Sequence, residues 1–388
     1  MAPARVEQSL PVSCDGAPLG VTDGEECQVG ASCAKRARHH PRAILGVLLW
    51  PLHPIGVSVR FDRRYLAGLL LVPAVILTAC SSKSNPASSS SPPGSSSAAP
   101  AKTSTTAVGV EVSGSFGATP TLTVPPKPAP TKLTQQVLTR GTGATVAKGD
   151  TLIANYVGQT WAPKSGKANV FDSSFARGAP AAFVIGAGQV IPGWDKTLVG
   201  KTLGSRLVLT VPPADGYGAS GQSSAGISGT DTLVFVVDLI NTYKPDASAP
   251  GTVVGNIPSN GLPKITNVPG KKPQITSTAG VKVPTQPTST LLVTGSGPKI
   301  DTAKTLVLQL VQTDLATGKN TQATWGQAPQ TVAAQNVLSI ANKLTGQNIG
   351  SRAVVLLPAT PAVPASATQA AQPAAPPEIL IIDVVGEF

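Results

Sequence analysis

Gly188-Gln189-Val190-Ile191-Pro192-Gly193-Trp194-Asp195, continued by KTLVGKTLGSR to Arg206, is the stretch whose reading decides the fold. Proline suits the first position of a helix, where its missing N–H is no loss and its φ is already helical. Gly200 offers an end. The spacing therefore predicts a short amphipathic helix from about Gly193 to Val199, with Trp194 just inside it. Gly204-Ser205-Arg206 then steps into an apolar strand.

Around this stretch, runs at 133–139, 150–159, 181–185, 206–212 and 232–240 have mixed or alternating apolar patterns and read as strands. One helix among five strands predicts an α+β domain, an antiparallel curled β-sheet wrapped over one short helix.

The pattern occurs twice. Val137–Gly143 (VLTRGTG) matches Leu291–Gly297 (LLVTGSG) at an offset of 154, and Thr151-Leu152 matches Thr305-Leu306 at the same offset. Leu198–Arg206 (LVGKTLGSR) matches Leu344–Arg352 (LTGQNIGSR) at an offset of 146, so the second copy lacks eight residues in between. The last strands pair as LVFVVDLI at 233–240 with ILIIDVV at 379–385, and Pro120–Thr123 matches Pro273–Thr276 loosely. Matches in one order predict two copies of one fold. The expected domains are 107–243, which includes an N-terminal strand segment, and 264–388. A Pro/Gly-rich linker spans 244–263.

Composition narrows the chemistry. The chain has 39 Gly and 37 Pro with only 13% charged residues, which suits strands, turns and linkers better than long helices. The net charge is +11, and from Cys80 onward the basic residues are scattered, without an Arg run or aromatic–basic interleaving, so nucleic acid is not the expected partner. All three His (His39, His40, His53) and all four Cys (Cys14, Cys27, Cys33, Cys80) lie at or before residue 80. The body is thereby denied a His-based triad, a Cys nucleophile, a His/Cys zinc site and disulfides. No metal and no cofactor is expected. Cys27, Cys33 and His39-His40 are not read as a metal site.

Arg60-Phe61-Asp62-Arg63-Arg64 precedes the apolar run LAGLLLVPAVILTA at 66–79, then Cys80. A basic end, a short apolar run and small residues describe a signal peptide over 60–79. The run is short for a spanning helix, which needs about 20 apolar residues. Leu77-Thr78-Ala79-Cys80 resembles the bacterial lipobox, which implies cleavage before Cys80, its acylation and attachment to the outer face of the cell membrane. The alternative is an ordinary signal or a buried apolar segment. Residues 1–59 read as an N-terminal extension: translation is expected to begin near Val57 or Val59, which leaves residues 1–56 untranslated. Residues 80–106 are Ser/Pro/Ala low complexity and read as a disordered tether.

Five motifs in order now carry a resemblance. Asn155-Tyr156-Val157-Gly158, Val170-Phe171-Asp172-Ser173-Ser174, Val190-Ile191-Pro192-Gly193-Trp194, Tyr217-Gly218 and Leu233-Val234-Phe235 make residues 131–243 resemble an FKBP-type peptidyl-prolyl cis-trans isomerase domain. The resemblance implies two FKBP-like domains, proline-containing polypeptide clients and a macrolide ligand. It implies that Tyr156, Phe171, Asp172, Trp194, Tyr217 and Phe235 form the catalytic site, with Val190, Ile191, Arg177 and Ile227 binding substrate. Asp172 is expected to accept from Tyr156 or Arg177, or to polarise the substrate. Each residue also has a plainer reading: Trp194 and Phe235 as core, Asp172 as a turn cap, Tyr217 as a turn aromatic. Ala181 stands where the family often has a pocket aromatic, and the loop Ala219–Asp231 lacks the usual apolar-Pro-Pro pattern.

Through the repeat, Tyr156 becomes Leu310, Phe171-Asp172 becomes Thr321-Gln322, Trp194 becomes Ile340 and Phe235 becomes Leu380. The second copy is therefore expected to keep the frame without isomerase activity. The function expected is isomerisation of X–Pro bonds in extracytoplasmic proteins. The alternatives are a non-catalytic chaperone or peptide-binding lipoprotein, and a purely structural surface lipoprotein.

Overall fold

The computed structural model describes residues 105–258, 260–362, 364 and 373–388. The expected N-terminal extension, signal peptide and Cys80 anchor, and the tether up to residue 104, lie outside the described residues.

The chain begins with a small antiparallel sheet of β1 (Thr105–Ala107), β2 (Val110–Ser113) and β3 (Thr121–Thr123). Thr105 and Thr106, which composition groups with the tether, already pair with Val112 and Glu111 of β2. Next come β4 (Thr134–Thr139), β5 (Thr151–Thr160), β6 (Val170–Ser173), α1 (Ser174–Arg177), β7 (Ala181–Val184), α2 (Pro192–Leu198), β8 (Arg206–Val211) and β9 (Leu233–Tyr243). The strands form an antiparallel sheet in the order β4-β8-β9-β5-β6, with β7 also paired to β5. β4, β5, β7, β8 and β9 fall on the five runs read as strands, and α2 lies over Pro192–Leu198. The pair β6 and α1 was not expected. α1 is a single turn capped by the Ser173 hydroxyl, which accepts from the Ala176 N–H at 3.2 Å.

The second half repeats the plan. After β10 (Thr252–Val253), β11 (Lys264–Thr266) and β12 (Gln274–Ser277) come β13 (Thr288–Thr294), β14 (Thr305–Asp314), β15 (Asn320–Ala323), β16 (Gln330–Ala333), α3 (Ala334–Ile340), β17 (Arg352–Leu357) and β18 (Glu378–Glu387). The sheet order is β10-β13-β17-β18-β14-β15, with β16 on β14. Thus β10, within the segment read as a linker, pairs with β13. The register supports the sequence repeat: Gly158 lies opposite Phe235 and Asp172, and Gln312 lies opposite Leu380 and Gln322. Five of the eight missing residues fall before β7, since Val184 lies opposite Thr151 and its equivalent Ala333 opposite Thr305, and the other three fall between that strand and Leu198 or Leu344. β7 ends at Val184 and α2 starts at Pro192, whereas α3 follows β16 without a gap.

Each sheet is buried on both faces, so β8 and β17 are buried at every position instead of alternating. In the first half, α2 covers one face through Trp194 and Leu198. The β2–β3 hairpin covers the other, packing Val110 and Val112 on Val208, Val234 and Val236. In the second half the β11–β12 hairpin occupies the equivalent place, with Ile265 and Ile275 against Val354 and Ile381.

The Gly-Ser-Arg steps fix these hairpins. Arg206 and Asp238, each 1% exposed, pair through both carboxylate oxygens at 2.6 and 2.7 Å. Arg206 also donates to the Gly114 and Ala118 carbonyls at 2.6 Å, and the Gly117 N–H donates to Asp238 at 2.7 Å. Arg352 and Asp383 repeat the pair, with Arg352 donating to Val268 and Lys271 carbonyls. Ser205 accepts from the Gly141 N–H, and Ser351 from the Gly295 N–H, both at 2.9 Å. A buried charge is tolerated only when paired and hydrogen-bonded, and here every arm of the guanidinium is used.

Candidate functional site

The aromatic residues of the first half converge over α2. Tyr156 comes from β5, Phe171 from β6, Phe183 from β7, Trp194 from α2 and Phe235 from β9. The Trp194 ring lies 5.5 Å from Tyr156, 4.8 Å from Phe183 and 5.4 Å from Phe235, centroid to centroid, each in an edge-to-face arrangement. Phe171 meets Phe235 at 5.6 Å and 79°. Edge-to-face packing sets the positive rim of one ring against the negative face of the next. Ile227 is buried in the same cluster, and Val190, Ile191 and Tyr217 pack against it half-buried. All the aromatic and apolar residues singled out in the sequence therefore share one cluster.

Gly158 makes room for it. A Cβ there would stand 2.7 Å from a Phe235 ring atom and 2.8 Å from a Phe171 ring atom. Glycine at this strand position lets the two rings meet over the backbone.

A polar edge borders the rings. The Tyr156 hydroxyl donates to Asp172 Oδ2, and Arg177 donates from Nη1 to Asp172 Oδ1 and from Nη2 to the Tyr156 hydroxyl, the last at 2.9 Å. Asp172 thus accepts from both expected partners. It is not the turn cap, since Ser173 fills that role. Burial, followed by the hydrogen bond to Asp172, pushes the Tyr156 hydroxyl pKa well above the usual tyrosine range. Burial, with the nearby Asp172 charge, also raises that of Tyr217. Burial works against the Arg177 charge, but its contacts with Tyr156 and Asp172 outweigh that and raise its pKa.

Two polar atoms stand unused. Trp194 is 3% exposed, and its indole N–H has no acceptor. Among the described residues nothing accepts from the Ile191 N–H either. Buried donors are normally satisfied, so an orphaned one beside an apolar cluster points to a ligand group or water.

Three residues escaped the sequence reading. Phe183 supplies the ring that Ala181 does not, two places along the strand and hence on the same face. That period of two was the available signal. Asp195 accepts from the N–H groups of Gly186 and Gly188 at 2.6 and 2.7 Å, tying down the loop that leads to Val190 and Ile191. Ser174, fully buried, accepts from the Tyr156 N–H at 2.8 Å and donates to Asn155 at 2.9 Å. No local pattern announces either of the last two contacts. No group of His, Cys, Asp and Glu suited to a metal occurs among the described residues.

The sequence that builds this cluster matches known proteins. Residues 143–240 match the family described as FKBP-type peptidyl-prolyl cis-trans isomerase. The chain is 36% identical over 111 residues to the FK506-binding protein of Streptomyces anulatus, covering 29% of this chain and 86% of that one. It is 40% identical over 94 residues to FK506-binding protein 2 of Yarrowia lipolytica, covering 24% of this chain and 61% of the relative. Among solved structures, the crystal structure of AtFKBP13 is 32% identical, with 30% of this chain and 96% of that chain covered and a TM-score of 0.26. The chain belongs to the FKBP-type peptidyl-prolyl cis-trans isomerase family. It spans less than two thirds of several curated relatives, 61% of the Yarrowia lipolytica protein and 57% of peptidyl-prolyl cis-trans isomerase FKBP15-1 of Arabidopsis thaliana.

Proposed function

We propose that residues 107–243 form a peptidyl-prolyl cis-trans isomerase domain acting on X–Pro bonds of proteins outside the bacterial cytoplasm. The observation that carries this reading is the convergence of Tyr156, Phe171, Trp194 and Phe235 in one cluster beside Asp172. An X–Pro bond turns slowly because twisting the amide costs resonance, a barrier of about 18–20 kcal/mol. No nucleophile or base is needed, which suits a body without His or Cys. The rings take the proline out of water, where the less polar twisted amide is favoured over the planar one. The Ile191 N–H holds a substrate carbonyl, and the Tyr217 hydroxyl donates a second hydrogen bond to substrate. Asp172, held by Arg177, keeps the Tyr156 ring in place. A macrolide would occupy the same cup.

Residues 264–388 are, on this reading, a second FKBP-like domain without a working site, joined by 244–263. Ile340 and Leu380 lie in its core where the first domain carries aromatic rings, and the loop bearing Val190 and Ile191 has no counterpart. A signal peptide at 60–79, lipidation at Cys80 and a tether that ends before β1 would hold both domains at the membrane surface.

A protease-coupled assay on a proline tetrapeptide tests the activity. Turnover should be lost in Trp194→Ala and Phe171→Ala, with folding checked by circular dichroism. If the wild type is no faster than these variants, the enzyme reading fails. The second reading, a non-catalytic chaperone, is favoured by the ring-free second sheet. It predicts suppression of client aggregation without turnover.

A further inference from the structure

A second concave site lies away from the aromatic cluster. A cleft of about 500 Å³ opens between the loop after β7 and the segment from β15 to β16. Val184 and Gln189 line one wall, and Thr321, Gln322, Gln327 and Gln330 line the other. The walls are tied at one point: the Gln309 side chain and the Gly326 N–H both donate to the Pro245 carbonyl, at 2.8 and 2.9 Å.

The lining has an unusual make-up. It contains no Asp, Glu, Lys or Arg although the chain carries a net charge of +11. It gathers four primary amides, each offering a donor and an acceptor side by side, as a peptide group does. One of them, Gln330, is 2% exposed, and neither its oxygen nor its nitrogen has a partner. Such a group is normally satisfied, so its hydrogen bonds are left for something else. The wall also includes β15, the last strand of its sheet, with no strand on its outer side among the described residues. An open strand edge accepts another extended chain through main-chain hydrogen bonds. Finally, Gln189 sits on the same loop as Val190 and Ile191, so the cleft adjoins the lip of the aromatic site.

We propose that this cleft binds an extended, uncharged stretch of polypeptide, the part of the client that flanks the proline. The cleft itself is argued from its own lining. Its link to the flanking chain rests on the isomerase reading above. A neutral glycan shares the lack of charge, but it offers no strand for the β15 edge.

The test uses the full chain and a fluorescein-labelled, proline-free decapeptide of Val, Thr, Ser and Gln. Anisotropy should report binding, and hydrogen exchange should slow at 320–324. Replacing the exposed pair Thr321→Arg and Gln327→Arg should weaken binding at least tenfold. No binding at millimolar peptide, protection elsewhere, or unchanged affinity in the double variant would overturn the proposal. So would protection by dextran but not by the peptide. Turnover of a proline tetrapeptide is measured alongside. Turnover without decapeptide binding sinks the cleft alone, and decapeptide binding at 320–324 without turnover supports the cleft while sinking the isomerase reading. Extending the tetrapeptide with the same neutral residues should lower its KM at least tenfold in the wild type and not in the double variant. An equal gain in both would sink the link between the two sites.

Discussion

The Phe183 ring stands 4.8 Å from the Trp194 ring at 67°, and 5.4 Å from Tyr156 at 74°. Phe183 thereby closes a wall that Ala181 leaves bare. Truncation to Ala should remove two edge-to-face contacts. The expected loss is about 2–3 kcal/mol of stability, below the full Phe→Ala range because the ring is half-buried. KM for a proline tetrapeptide should rise at least fivefold. Urea denaturation and steady-state kinetics check both, and an unchanged KM would remove Phe183 from the site.

Tyr156 makes stability depend on alkaline pH. Its folded pKa is raised above the unfolded value of about 10, so the folded state holds the proton more tightly. That contribution is complete below pH 10 and is lost as pH rises toward the folded pKa. Tyr156→Phe should therefore lose stability less steeply than the wild type above about pH 10. Parallel slopes in urea unfolding between pH 9 and 11.5 would contradict the assignment.

Arg206 and Asp238 anchor the β2–β3 hairpin from beneath. Arg206→Ala leaves a buried carboxylate unpaired and should cost about 3–5 kcal/mol. Hydrogen exchange at 110–123 should speed up before the rest of the domain opens. The double variant Arg206→Met, Asp238→Leu removes both charges and should lose less than the single. If the double variant loses more, the hydrogen bond that Asp238 accepts from the Gly117 N–H outweighs the cost of leaving the carboxylate unpaired.

Gly158→Ala places a methyl group 2.7–2.8 Å from ring atoms of Phe235 and Phe171. Both rings must shift, at a cost of about 1–3 kcal/mol. Activity should fall at least tenfold, since the displaced rings form part of the cup. Near-ultraviolet circular dichroism and the tetrapeptide assay together report the shift. Normal activity would show that these rings lie outside the site.

Asp195 tests positioning apart from chemistry. Its two hydrogen bonds to the 186–188 loop hold Val190 and Ile191 from behind. Asp195→Ala should cost about 1.5–3 kcal/mol and raise KM more than it lowers kcat. A fall in kcat at constant KM would point to a direct role instead.

Local pattern and repetition made much of this protein legible. The Pro192-Gly193-Trp194 turn predicted α2, because proline at a helix start and glycine past its end act through their own backbone preferences. The five strands followed from apolar runs, and the two-fold repeat followed from Gly-Ser-Arg steps that recur in order. The repeat also bears on the frame: Trp194 gives way to Ile340, and the second half still forms a core around the isoleucine. Asp195 apart, whose partners lie seven and nine residues away, the missed contacts depend on partners distant in the chain. Arg206 meets Gly114 across 92 positions, and Ser174 reaches the Tyr156 N–H only because β6 pairs with β5. β6 and α1 were missed because VFDS and SFAR each mix apolar with polar or charged residues and show no readable period, unlike the wholly apolar AAFV of β7. Tertiary packing alone decided that hairpins cover the outer faces, that Phe183 replaces the ring absent at Ala181, and that Gln330 is buried without a partner. Sequence fixes what each residue prefers locally, while the burial and pairing that give it a role arise only when remote segments meet.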